Sequence, residues 1–251
     1  MKQFNPVEHI ELFHLLFLEQ LGLKIDKRLY ALKGGCNLRF FLKSIRYSQD
    51  IDIDIKIIRK DTLANNVRKI INSSITKRFL QFHKIEIAKL SEPKQTETTQ
   101  RWKIQLKVPK TAVLLNTKIE FSRRGIKQNT KLEIIDPLII SKYQLNPFFV
   151  SHYTEESAFL QKIYALIKRN ETQARDVFDI FHLINLGIKK PKLSSEEIEK
   201  VILHSLSISF DEFKSQVIAY LPIEYHSQYD DINIWNHIVE KIIKEFSNEA
   251  Y

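Results

Sequence analysis

Cysteine is almost missing from this chain of 251 residues, where Cys36 stands alone. One thiol excludes an intramolecular disulfide framework and any cysteine-rich zinc site, and it fits a reducing compartment. Glycine is scarce too, with five in all, so the adjacent pair Gly34 and Gly35 marks a place where the backbone itself is needed. Long apolar runs are absent: charged residues interrupt each one well before the roughly 18 residues of a membrane-spanning helix. The opening six residues carry no apolar signal segment, so the expectation is a cytoplasmic protein with no membrane partner. Internal repeats, low-complexity tracts and flexible linkers are also lacking.

What remains is a globular composition. A hydrophobic content of 43% supplies a sizeable core for one large domain or two modest ones. Lys and Arg number 39 against 30 Asp and Glu, giving a net charge of +9. That balance suits a polyanionic partner such as nucleic acid, although a solvated lysine-rich surface has the same composition.

Periodicity organises the chain into two parts. In residues 7–23, Ile10, Phe13, Leu16, Phe17 and Leu21 recur at helical spacing, and Gly22 is a stop signal. A short strand over 29–32 runs into the glycine pair, which opens a helix over 36–42. After an alternating stretch at 46–57 comes a helix from 61 to about 80 with Asp61 as N-cap. The period then changes to two, and strands are predicted over 82–90, 101–108 and 116–121, with a polar loop at 91–100. Beyond Tyr153 helices are predicted over 155–169, 173–186, 194–205, 210–219 and 234–246. The fold class is α+β: a mixed-sheet α/β domain over residues 1–150, then a helical domain over 151–251.

The alternating stretch carries the chemistry. Asp50, Asp52, Asp54 and Lys56 share one face of a strand while Ile51, Ile53, Ile55 and Ile57 share the other. A solvated face gives the same pattern. Two facts oppose that reading: acids are poor strand formers, and three like charges on one face repel unless a cation neutralises them. Hard divalent cations, Mg²⁺ or Mn²⁺, prefer such oxygen ligands and complete their shells with water and phosphate.

The run Gly34-Gly35-Cys36-Asn37-Leu38-Arg39, followed by Arg46-Tyr47-Ser48-Gln49-Asp50-Ile51-Asp52-Ile53, resembles the DNA polymerase-beta-type nucleotidyltransferases and, more narrowly, the AbiEii/AbiGii toxin family. Its one departure is Cys36 where threonine is usual. A second pair of segments, Gln161-Lys162-Ile163-Tyr164-Ala165-Leu166-Ile167-Lys168-Arg169 and Ala174-Arg175-Asp176-Val177-Phe178-Asp179-Ile180, is similar to that family's second signature, with Gln161 in place of the usual glutamate. The resemblance implies a nucleotidyltransferase that uses Mg²⁺ to move a nucleoside monophosphate from an NTP to an acceptor. It also implies a type IV toxin-antitoxin or phage-defence role, with tRNA ends as acceptor and a cognate antitoxin as partner.

Nucleotidyl transfer must neutralise triphosphate charge and align an acceptor oxygen with the α-phosphorus, which a metal clamp achieves. Asp50 and Asp52 match the metal-binding motif. Glu120, flanked by apolar neighbours, fits the third carboxylate or the base, with Glu133 and Glu86 as alternatives. Gly34 and Gly35 would let backbone N–H groups approach phosphate, Ser48 would donate to a phosphate oxygen, and Arg46 would bind phosphate or pair with an acid. Lys162 and Arg169 share a helix face as cations for the triphosphate. Of the two acids at i and i+3 in the next helix, Asp179 is expected to orient Lys162 or the nucleotide and Asp176 to be the structural one, pairing with Arg175 or capping locally, though both count as nucleotide-site candidates. The basic loop 123–127 would steer an RNA backbone. Trp102 and Trp235 are either base-stacking groups or core. The competing readings are nucleotidylation of a protein partner and a catalytically silent nucleotide- or RNA-binding module.

Overall fold

The computed structural model describes residues 4–247, which divide into a sheet unit, residues 4–43 with 47–153, and a helical unit, 44–46 with 154–247. The sheet unit opens with α1 (Pro6–Lys24), started by a capping box between Asn5 and Glu8. Then follow β1 (Tyr30–Lys33), α2 (Gly34–Phe41), β2 (Ile51–Ile55), α3 (Lys60–Asn72), α4 (Ser74–Phe82), β3 (Glu86–Gln95), β4 (Thr99–Lys107), β5 (Leu115–Ser122), β6 (Thr130–Ile134), α5 (Pro137–Tyr143) and β7 (Phe149–Tyr153). The strands make one mixed sheet in the order β3-β4-β5-β2-β1-β7-β6, which puts β2 at its centre, parallel to β5 and antiparallel to β1. Ile51, Ile53 and Ile55 are buried in a core with Leu12, Leu16 and Phe17 of α1 and Leu63 and Val67 of α3. The other side chains of β2 therefore turn to the opposite face.

Several boundaries differ from expectation. The alternating stretch is strand only over Ile51–Ile55, and Arg46 belongs to the helical unit. The single helix over 61–80 is two helices, because the Ser73 backbone leaves the helical region (ψ 150) and its side chain caps Thr76 N–H. Asp61 is not the N-cap, which is Arg59; it sits in the first turn, where a carboxylate favours the helix dipole. The polar stretch at 91–100 is mostly strand: β3 and β4 pair as far as Gln95 and Gln100, and a tight turn joins Thr96 to Thr99. Two register shifts in β3 account for its weak alternation. The strands β6 and β7 were not anticipated.

The helical unit contains α6 (Glu155–Lys168), α7 (Ala174–Asn185), α8 (Ser195–Leu206), α9 (Phe210–Gln216), α10 (His226–Tyr229) and α11 (Ile232–Ser247). Thr154, Ser194 and Ser209 cap the N-termini of α6, α8 and α9. Phe159, Ile163, Val177, Phe213, Trp235 and Ile242 are buried within it. Trp102 and Trp235 are both core residues, so neither offers a face to a base. Helix α9 is shorter than expected and gives way to a 3-10 turn at Ile218–Tyr220. Among the described residues no helix is long and apolar enough to cross a membrane.

Candidate functional site

Gly34 begins α2 with φ +68, a backbone conformation that side chains disfavour. A Cβ there would stand 3.2 Å from Asp52 Oδ2. The glycine is therefore required twice, by its dihedral and by the carboxylate lying against it. Gly35 follows as the second residue of α2.

Strand register then assembles a row of charges. Arg101 on β4 is opposite Glu120 on β5, Glu120 is opposite Asp52 on β2, and Asp52 is opposite Lys33 on β1. Partners in register share a face, with neighbouring strands about 4.8 Å apart. The row reads cation, acid, acid, cation. One position along, Ile51 is opposite Ile119, which sets Asp50 beside Lys118. Lys118 donates its backbone N–H to Asp50 Oδ1 at 3.0 Å, and its Nζ lies 3.1 Å from Oδ2. Arg101 Nε donates to Glu120 Oε2 at 2.5 Å. Asp54 is saturated: Lys33 Nζ reaches Oδ1 at 2.6 Å and the Tyr153 hydroxyl donates to Oδ2 at 2.7 Å.

Asp52 differs from these neighbours. Among the described residues its carboxylate accepts no hydrogen bond. Desolvation raises its pKa above the ordinary carboxylate value; Lys118 and Lys33 pull it down, while Asp50 and Glu120 push it up. Asp52 thus sits among two other acids and two lysines, with no hydrogen bond of its own among the described residues. The backbone beneath it is fixed from two sides, since Ser48 Oγ donates to Asp50 O at 2.9 Å and Cys36 Sγ donates to the same oxygen at 3.2 Å. Burial pushes the Cys36 thiol well up, keeping it protonated as a donor.

The donor set of Asp50, Asp52 and Glu120 is all oxygen, the chemistry a hard divalent cation takes. It is not a preformed cage: among the described residues no three acidic, histidine or cysteine side chains are grouped as metal ligands. Lys118, Arg101 and Lys33 supply the local positive charge instead. Glu133 lies on the edge strand β6, 3.2 Å from His152 Nε2, and Glu86 lies on the opposite edge strand β3, so neither joins this row.

The predicted residues of the helical unit form a cluster of their own. Asp179, fully buried, accepts from Arg46 Nε at 3.0 Å and Nη2 at 2.8 Å, and its Oδ2 lies 2.6 Å from Lys162 Nζ. Lys162 Nζ also donates to Asp176 Oδ1 at 3.0 Å, and Asp176 Oδ2 lies 3.2 Å from Arg169 Nη1. The order Arg46, Asp179, Lys162, Asp176, Arg169 alternates in sign, three cations against two acids. Burial alone would raise the Asp179 pKa, but Arg46 and Lys162 overcome it and hold the carboxyl at about 2. Of the two readings open for Arg46, the structure displays the acid pair.

Sequence reasoning missed Lys33, Arg101 and Lys118. Their signal lies in cross-strand register, and only Lys118, two residues before Glu120, could have been suspected from local alternation.

Residues 16–246 match the family described as nucleotidyl transferase AbiEii toxin, type IV TA system. No curated protein sequence matches the chain. Among solved structures, MenT4, a nucleotidyltransferase toxin of Mycobacterium tuberculosis H37Rv, aligns with a TM-score of 0.65 at 16% identity over 97% of this chain and 86% of that one. A putative nucleotidyltransferase from Helicobacter pylori aligns with a TM-score of 0.58 at 16% identity over the full length of both chains. JHP933 from the same organism aligns with a TM-score of 0.57 at 15% identity over 99% of this chain and 97% of that one. These likenesses establish the fold, and the family match over most of its length makes the chain a member of the AbiEii nucleotidyltransferase toxin family.

Proposed function

We propose that this nucleotidyltransferase uses Mg²⁺ to transfer a nucleoside monophosphate from an NTP to a hydroxyl of tRNA, releasing pyrophosphate, and that it acts as a type IV toxin with a cognate antitoxin. The observation that carries the metal reading is Asp52, a desolvated carboxylate without a hydrogen-bond donor, set between Asp50 and Glu120. These three would hold the ion, which when bound neutralises phosphate charge and favours attack at the α-phosphorus. One carboxylate of the trio takes the acceptor hydroxyl's proton. Gly34 and Gly35, at the start of α2, bring backbone N–H groups to phosphate.

In the helical unit the ion pairs to Asp176 and Asp179 fix Lys162, and we assign Lys162 to binding phosphate charge. Ser48 is assigned to phosphate contact alongside its bond to Asp50 O. Support for an RNA acceptor comes from the net charge of +9 and from Arg124 and Lys127, exposed in the loop that follows β5. The test is incubation of the protein with each labelled NTP, Mg²⁺ and total RNA beside Asp52→Ala. Label should enter the tRNA fraction with the wild type and vanish with the variant. Label in protein instead would replace the acceptor assignment, and no label anywhere would remove the transfer reading.

A further inference from the structure

We propose that Arg101 is a phosphate-binding residue of the reaction, held in reserve as the counter-ion of Glu120 until a metal ion takes that carboxylate. This inference rests on the metal-dependent reading above.

The cross-strand row of Arg101, Glu120, Asp52 and Lys33 sums to zero formal charge, +1 −1 −1 +1. A divalent cation on the two acids raises it to +2 and sets two positive charges against the Arg101 guanidinium. The ion pair between Arg101 and Glu120 is then opposed, because the carboxylate is shared with a stronger cation and the guanidinium is repelled by it. An incoming triphosphate supplies the negative charge the row now lacks. Arg101 is the cation best able to follow it. Its side chain is 31% exposed, only Nε is bonded to Glu120, and among the described residues Nη1 and Nη2 have no partner. A planar guanidinium presents those donors in the fork geometry that phosphate oxygens accept in pairs.

The other cations of the cluster are less free. Lys118 is tied to Asp50 by both its ammonium and its backbone N–H. Lys33 bonds Asp54, whose other oxygen is anchored by the Tyr153 hydroxyl. Arg101 therefore has two successive partners, first a carboxylate and later a phosphate, and exchange between them couples metal binding to nucleotide binding.

The coupling predicts opposite signs for one substitution. In Arg101→Met the acids lose a competing cation, so the affinity for Mn²⁺ alone, measured from the free-ion electron paramagnetic resonance signal, should tighten by about two- to fivefold. The KM for NTP in the same variant should rise by about tenfold or more. Arg101→Lys, which keeps the charge, should leave the Mn²⁺ affinity near the wild-type value while still raising the KM. Weaker or unchanged Mn²⁺ affinity in Arg101→Met would overturn the counter-ion role, and an unchanged KM would overturn the phosphate role. A wild-type protein that binds no Mn²⁺ overturns the metal reading itself, and the inference falls with it for that separate reason.

Discussion

Replacing Asp179 by asparagine removes the centre of the buried ion-pair chain while nearly preserving its shape. The wild-type carboxylate faces Arg46 through two hydrogen bonds and Lys162 through a third contact, all within 3.0 Å. Holding the carboxyl at about 2 instead of its ordinary 3.8 corresponds to about 2 kcal/mol of stability. Loss of a partner from a buried pair adds the cost of cations left without compensation, so Asp179→Asn should destabilise the protein by about 3 to 5 kcal/mol. The formal charge of the five-residue ion-pair cluster would rise from +1 to +2. The sign of the pH dependence follows from the lowered pKa: the carboxylate's contribution is fully present above about 3.8 and is lost as pH falls toward about 2. Urea unfolding of both proteins, followed by far-UV circular dichroism at pH 7 and at steps down to pH 3, measures both quantities. The stability gap should be largest at neutral pH and should narrow below pH 4. A gap under about 1 kcal/mol at pH 7, or one that does not change with acid, would refute the claim that Arg46 and Lys162 depend on this carboxylate.

Three further outcomes follow from the sheet unit. Gly34→Ala places a Cβ at φ +68 and 3.2 Å from Asp52 Oδ2, so it should cost about 1 to 2 kcal/mol in thermal or urea unfolding and weaken Mn²⁺ binding. Tyr153→Phe removes the hydroxyl that donates to the buried Asp54 and should cost about 1 to 2 kcal/mol in the same unfolding assay, while Mn²⁺ affinity stays within about twofold because Asp54 stands outside the acid trio. Arg124→Ala combined with Lys127→Ala should weaken tRNA binding in a filter assay at low salt and flatten its salt dependence by about two phosphate contacts, with unfolding stability unchanged.

Much of this arrangement could be read in the amino-acid sequence, for identifiable reasons. The Asp-Ile alternation of β2 announces itself because one face is core and the other is charged, and the glycine pair stands out where glycine is rare. Strand β7 lies between β1 and β6, and four of its five residues are buried, so no alternation betrays it. Strand β6 is a mostly exposed edge strand of five residues, too short for a pattern to develop. The break at Ser73 was hidden because α3 and α4 each keep helical periodicity, and only the capping hydrogen bond to Thr76 reveals the end of one and the start of the other. The acids of the site were visible as residue types, whereas their counter-ions were not. Arg101 and Glu120 are 19 positions apart, and their pairing depends on how β4 and β5 are registered.

The central claim is that Asp50, Asp52 and Glu120 bind a divalent cation together. Its most direct measurement is the anomalous scattering of Mn²⁺ in crystals of the wild-type protein grown with the ion and an NTP. The account predicts a peak at inner-sphere distance from an Asp52 carboxylate oxygen, with Asp50 or Glu120 completing the protein ligands. No peak at Asp52, or a sole peak elsewhere on the chain, would contradict it.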